Sequence, residues 1–213
     1  MQKWKPWYSL QGEIGEHCVL TRLRVLGFKS LLDVEVLFGP FTCFIGPNAA
    51  GKSNIFDAIR FLSLLANNPI MQAVAQIRES SGRALDPRRL FTLFGGFIAP
   101  TLRIEADMIV ERRVEDDFGV EAEATTSLLR YKVEFRMENG ESPERLQLVE
   151  ECLEPILGRN AFSGYPFAAA RAFREAYLRR GTRTRPYISF EKDSGEIGLH
   201  QDKRSEEHTS ELQ

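Results

Sequence analysis

The chain has 213 residues, 43% of them hydrophobic, with 28 Lys plus Arg set against 30 Asp plus Glu. That length can bury a sizeable core, as one large domain or two small ones, and the near balance of charge gives no global argument for nucleic-acid binding, which leaves local patches. Cys18, Cys43 and Cys152 lie far apart without metal spacing and fit reduced thiols in a cytoplasmic protein; no apolar run is long enough to span a membrane.

Residues 1–18 match poorly with the rest of the chain and are read as an N-terminal extension, either a misplaced start or a short arm. They are not a secretory signal, because Trp4, Pro6 and Trp7 interrupt any apolar core. Regular structure is predicted from Val19. Leu23 and Val25 alternate with Arg22 and Arg24, and Val34, Val36 and Phe38 alternate with Asp33, Glu35 and Leu37. This is the period of two half-buried strands, joined by a turn at Gly27-Phe28-Lys29-Ser30.

The short apolar run Phe41-Thr42-Cys43-Phe44-Ile45 predicts a central parallel strand covered on both faces. It leads into Gly46-Pro47-Asn48-Ala49-Ala50-Gly51-Lys52-Ser53, a full match to G-x-x-x-x-G-K-[ST]. In that pattern glycines let backbone N–H groups face a polyphosphate, the Lys supplies a point charge for the β- and γ-phosphates, and the Ser hydroxyl reaches Mg²⁺. Ser53 to Ala66 continues as a helix without Gly or Pro. Its polar residues Asn54, Asp57, Arg60 and Ser63 form one narrow stripe, which predicts burial on most sides. Its N-terminus adds partial positive charge where phosphates would sit.

Ile70 to Glu79 reads as a second helix and Ser80 to Gly96 as a loop. Leu102, Ile104, Ala106, Met108 and Val110 share one strand face; Tyr131, Val133, Phe135 and Met137 share another. Asn139-Gly140 is a hairpin signal leading to Leu146 through Leu153, so an antiparallel meander is expected. The acidic stretch from Glu111 to Thr126 reads as an exposed loop. Phe167 to Arg180 reads as a helix ending at Gly181, and Pro186 to Phe190 with Glu196 to His200 as a final hairpin turning at Asp193-Ser194-Gly195.

Two runs carry a family resemblance: Leu23-Arg24-Val25-Leu26-Gly27-Phe28-Lys29-Ser30, and Gly46 to Ser53 with Asn54 after it. Together they resemble the N-terminal half of ABC-type P-loop ATPase heads of the SMC and RecF kind. Phe91-Thr92-Leu93-Phe94-Gly95-Gly96 before a strand, a Tyr-x-Val-x-Phe strand and a strand ending in Glu-Glu are similar to AAA-type ATPases related to RecF and the OLD nucleases. The resemblance is specific over residues 19–66 and diffuse over 67–200. It implies an α/β fold, the N-terminal lobe of an ATPase head with a mixed sheet and an antiparallel side sheet, spanning residues 19–203. It implies that Lys52 grips the β/γ-phosphates of ATP and that Ser53 ligates Mg²⁺. Asn48, Ala49, Ala50 and Gly51 would offer backbone N–H groups, and Lys29 and Ser30 would approach the phosphates; a solvated turn is the alternative for these two. It further implies a homodimer of heads closing on ATP, with a role in DNA repair or anti-phage defence and DNA as a candidate partner.

A head of this kind also needs a Leu-Ser-Gly-Gly-like signature and a strand ending in Asp-Glu, whose carboxylates hold Mg²⁺ and orient water. Leu146-Gln147-Leu148-Val149-Glu150-Glu151 lacks the Asp and an unbroken apolar run, and Phe162-Ser163-Gly164-Tyr165 lacks the Leu and the second Gly. Both are read as structural, so no catalytic residue is assigned and turnover by this chain is expected to be weak or absent. A nucleotide-gated binding module without hydrolysis and a non-functional fragment remain alternatives. His17 and His200 are isolated and suggest no metal site. Arg88-Arg89 and the arginines between 171 and 185 are locally basic, a pattern more typical of a solvated face than of a nucleic-acid contact. Finally, Arg204-Ser205-Glu206-Glu207-His208-Thr209-Ser210-Glu211-Leu212-Gln213 matches a one-frame translation of a widely used sequencing adapter. The natural frame is therefore expected to depart near Lys203, and residues 204–213 carry no functional weight.

Overall fold

The computed structural model describes residues 18–39, 41–77, 86–110, 113–115, 121–123, 126–137, 146–157, 181, 183–191 and 195–200. Residues 1–17, the turn expected at Asn139-Gly140, the 162–165 segment, the helix expected over 167–180 with its arginines, and residues 201–213 lie outside the described residues.

The first two strands form as their alternation requires. β1 (Cys18–Phe28) pairs antiparallel with β2 (Leu31–Leu37), with Val25 opposite Val34 and Leu23 opposite Val36. β1 also pairs antiparallel with β5 (Thr101–Val110), which pairs in turn with β8 (Leu128–Met137), and β8 with β9 (Leu146–Pro155). The hairpin of β10 (Ile188–Glu191) and β11 (Glu196–Leu199) extends the same sheet, giving the order β11-β10-β9-β8-β5-β1-β2.

Period-two alternation gives this sheet two unlike faces. Leu23, Val25, Leu102, Ile104, Ala106, Val133 and Phe135 are buried on one face. Helix α1 (Lys52–Leu65) lies across them: Phe61 stacks on Phe28 at 6.2 Å and meets Phe135 at 5.9 Å. The short helix α2 (Ile70–Gln76) adds Ala73 and Val74 to the same core. The other face is charged and neutralises itself across strands. Arg22 bonds Glu35 and Glu105, Arg103 bonds Glu134 and Glu150, and Arg130 grips Asp107 bidentately at 2.6 and 2.7 Å. The bond to Asp107 holds the Arg130 guanidinium above its ordinary pKa.

Four expectations need correction. Phe41 to Ile45 is not a strand: all described strands in the large sheet pair antiparallel, and nothing among the described residues pairs with this run. Phe41 is 83% and Ile45 92% exposed, so the parallel part of a mixed sheet is not present among the described residues. A parallel strand is stable when both faces and both edges are covered, and here they are not. Helix α1 is buried along one stripe, Ile55, Ala58 and Phe61, while Phe56 stands exposed. The stretch read as a loop before Gly96 contains a 3₁₀ turn (Pro87–Leu90) and a tight hairpin of β3 (Leu93–Phe94) and β4 (Phe97–Ile98) around Gly95-Gly96. Within the acidic stretch, β6 (Arg113–Glu115) pairs with β7 (Glu121–Glu123) as a ribbon.

Candidate phosphate-binding site

Residues 46–53 curl between the end of the exposed run and the start of α1. Ala49 and Gly51 adopt left-handed backbone, φ +64° and +88°, and turn the chain back on itself. Gly51 carries the sharper constraint, because its carbonyl already accepts the first helical bonds, from Asn54 N–H at 3.0 Å and Ile55 N–H at 3.2 Å. No acidic side chain occupies the first turn of α1, so the positive end of the helix is not neutralised locally.

Lys52 folds back over this curl. Its ammonium donates to the carbonyl of Gly46 at 2.7 Å and to that of Pro47 at 2.6 Å. The cation therefore closes the loop across its mouth, on the side where Gly46, Pro47, Asn48, Ala49 and Ala50 are all solvent-exposed. Of the amides of these residues, that of Ala50 has a backbone acceptor, Pro47 O at a long 3.4 Å. Ser53, also exposed, comes next on the helix.

The β1–β2 turn forms one wall of the loop. Lys29 (φ +48°) is anchored by its own N–H to Leu90 O at 2.7 Å, while Thr92 donates from its amide to Gly27 O and from its hydroxyl to Leu31 O. From that support the turn reaches α1. Asn54 Nδ2 donates to Ser30 Oγ at 2.7 Å, and Lys29 Nζ lies 2.6 Å from Asp57 Oδ2. Ser30 is thus brought against the loop, whereas the Lys29 ammonium is engaged with the helix. In the sequence Asp57 is one member of the polar stripe Asn54, Asp57, Arg60 and Ser63, and the three-residue spacing of 54 and 57 puts both on the side of α1 that meets the turn. On the other side Phe44 meets Phe56 edge-on at 5.5 Å and Phe38 at 6.3 Å.

The Glu150–Glu151 pair lies on β9. The register shifts between Glu134 and Phe135 opposite Glu150 and Leu148, leaving Val149 as the extra residue of a bulge. Glu150 sits on the charged face with Arg103, and Glu151 on the opposite face accepts from Tyr131 Oη at 2.7 Å. Burial, then the bond to Glu151, pushes the Tyr131 hydroxyl well above its usual pKa, so it remains a donor. Both carboxylates hold strands together. Among the described residues no group of three His, Cys, Asp or Glu has metal-site geometry, and no helix is long and apolar enough to cross a membrane. His200 Nε2 lies 2.8 Å from Ser189 Oγ on the far edge of the sheet.

Comparison with known proteins adds three findings. The model of the family described as "AAA domain, putative AbiEii toxin, Type IV TA system" matches residues 41–151, a little over half the chain. The DNA replication and repair protein RecF of Parabacteroides distasonis is 42% identical over 60 residues, covering 26% of this chain and 16% of that protein. The chromosome partition protein Smc of Cereibacter sphaeroides is 33% identical over 121 residues, covering 52% of this chain and 10% of that protein. The chain thus spans a small fraction, about a sixth and a tenth, of these curated relatives. Among solved structures, a chain from work on ATP-driven dimerization and DNA-stimulated activation of SMC ATPases overlaps at a TM-score of 0.39 and 20% identity, over 64% of this chain and 69% of that one.

Proposed function

The chain belongs to this AAA-domain family, and from that premise we propose that residues 46–53 bind the triphosphate of ATP together with Mg²⁺. The observation that carries the reading is the Lys52 ammonium, held over a left-handed curl by the carbonyls of Gly46 and Pro47. Phosphate oxygens are stronger acceptors than those carbonyls, so an incoming triphosphate would take over the cation. Amides of Asn48, Ala49, Ala50 and Gly51 and the start of α1 supply the remaining positive field. Ser53 offers one hydroxyl to a Mg²⁺ ion whose other ligands would be phosphate and water oxygens, the donor set this ion prefers. The ion would neutralise charge developing on the phosphates. Ser30 stands beside the loop through Asn54 and Gly51, and Lys29 would join the phosphates only by leaving Asp57.

In a longer protein we expect ATP hydrolysis by paired heads in the cytoplasm, acting in DNA repair or defence, with DNA as the candidate partner. This rests on the likeness to RecF and Smc. For the chain itself a second reading is favoured by one observation: Glu150 and Glu151 point to opposite faces and are bonded to Arg103 and Tyr131. We therefore expect binding without appreciable turnover. Photo-crosslinking with radiolabelled 8-azido-ATP tests the assignment. Label should be displaced by ATP but not by AMP and should be lost in Lys52→Ala; undiminished label in Lys52→Ala, or displacement by AMP alone, contradicts it.

A further inference from the structure

We propose that Asp57 is a positioning residue of the phosphate loop, acting through Lys29 and the β1–β2 turn. The inference rests on the nucleotide-binding reading for its functional consequence, though not for its geometry. The two turn residues and the first residue of β2 meet three positions on one side of α1 and its cap. Lys29 takes Asp57 at 2.6 Å and Ser30 takes Asn54 at 2.7 Å. Leu31 packs where a side chain on Gly51 would otherwise stand, 3.1 Å from the Cβ position. Positions 51, 54 and 57 are one helical turn apart, so they face the turn together.

Only the first of these three links carries full charge. It is also the more sheltered, with the Lys29 side chain 14% and the Asp57 side chain 32% exposed. The turn is braced from behind by hydrogen bonds with Leu90 and Thr92. Pulling α1 against that turn sets where the amides of Gly51, Lys52 and Ser53 stand. Without the ion pair, the helix start is tied to this turn by one neutral hydrogen bond and a packing contact, besides the burial of Ile55 in the core. Asp57 touches no phosphate in this arrangement; its effect on the ligand passes through the turn.

The test combines two readouts on the whole chain: amide hydrogen exchange across residues 46–56 without nucleotide, and the Kd for Mg-ATP. The variants are Asp57→Asn, Lys29→Asp, Asp57→Lys and the double exchange Lys29→Asp/Asp57→Lys, with Lys52→Ala as the reference for the nucleotide site. The single variants should speed exchange at 50–54 and weaken Mg-ATP by roughly fivefold, as for loss of a partly exposed charged hydrogen bond, at little change in unfolding midpoint. The double exchange should recover most of both. Should Asp57→Asn fold poorly, Asp57→Ser replaces it as the charge-removing variant; Asp57→Glu, which keeps the charge, is the conservative control and should remain near wild type. Faster exchange in a chain that binds no nucleotide would sink the ATP reading and leave the positioning role standing. Unchanged exchange and unchanged Kd in all single variants, or a double exchange no better than the singles, would overturn the positioning role.

Discussion

Gly51 leaves open the space that Ser30 fills: a Cβ at position 51 would stand 3.0 Å from Ser30 Oγ and 3.1 Å from Leu31 Cδ2. Its φ of +88° is also one that L side chains rarely adopt. The glycine of the loop motif is therefore required twice, by the backbone curl and by the wall behind it.

Gly51→Ala should displace the loop more than it harms the fold. A cost of about 1–3 kcal/mol is expected from the strained backbone. Nucleotide affinity should fall well beyond what the shift in urea midpoint would suggest, because the curl itself is the binding element. A variant with wild-type affinity would show that the contact with Ser30 is dispensable.

Gly27→Ala is the contrasting case. Its Cβ would lie 2.3 Å from the backbone oxygen of Thr101, with φ at +70°. Neighbouring backbone cannot yield as a flexible side chain can, so the sheet itself must open between β1 and β5. Destabilisation of about 2–4 kcal/mol is expected, read as a lowered thermal midpoint.

Much of this arrangement can be read in the residues, and what cannot has a physical reason. Alternation of Leu23 and Val25 with arginines specifies β1 because one face must be dry, and Tyr131, Val133 and Phe135 specify β8 in the same way. The 46–53 spacing announces the curl and the lysine because it encodes a backbone shape. Phe41 to Ile45 forms no strand because a short apolar run carries hydrophobicity without the paired neighbours a strand needs. The Gly95-Gly96 turn signal lies between Leu93-Phe94 and Phe97-Ile98, and two residues on each side are too few to show a strand period. Asp57 and Lys29 are 28 residues apart, and no local pattern links them.

Asp107→Ala tests the charged face. It would leave the Arg130 guanidinium, now paired bidentately, beside Arg22 without their shared carboxylate. The Asp107 side chain is 6% exposed but that of Arg130 is 31%, so solvent recovers part of the loss and about 2–3 kcal/mol is expected. Glu150→Gln, which weakens the hold on Arg103, should lower the unfolding midpoint modestly and leave nucleotide binding unchanged.

Thiol reactivity separates two cysteines. Burial, and then the neighbouring Glu154, push the Cys152 thiol above its ordinary value, so less thiolate exists at a given pH. Cys43 is exposed on the run before the loop. Iodoacetamide at pH 8 should label Cys43 well before Cys152, as monitored by peptide mass spectrometry, and raising the pH should narrow the gap. Equal rates at pH 8 would contradict the described burial.

The most direct test of the phosphate-loop assignment is the equilibrium Kd for Mg-ATP, measured by titration calorimetry on the chain and on Lys52→Ala. Loss of one charged contact to the phosphates should weaken binding by about ten- to a hundredfold while the unfolding midpoint stays near that of the parent. Equal affinity of the two proteins would contradict the account.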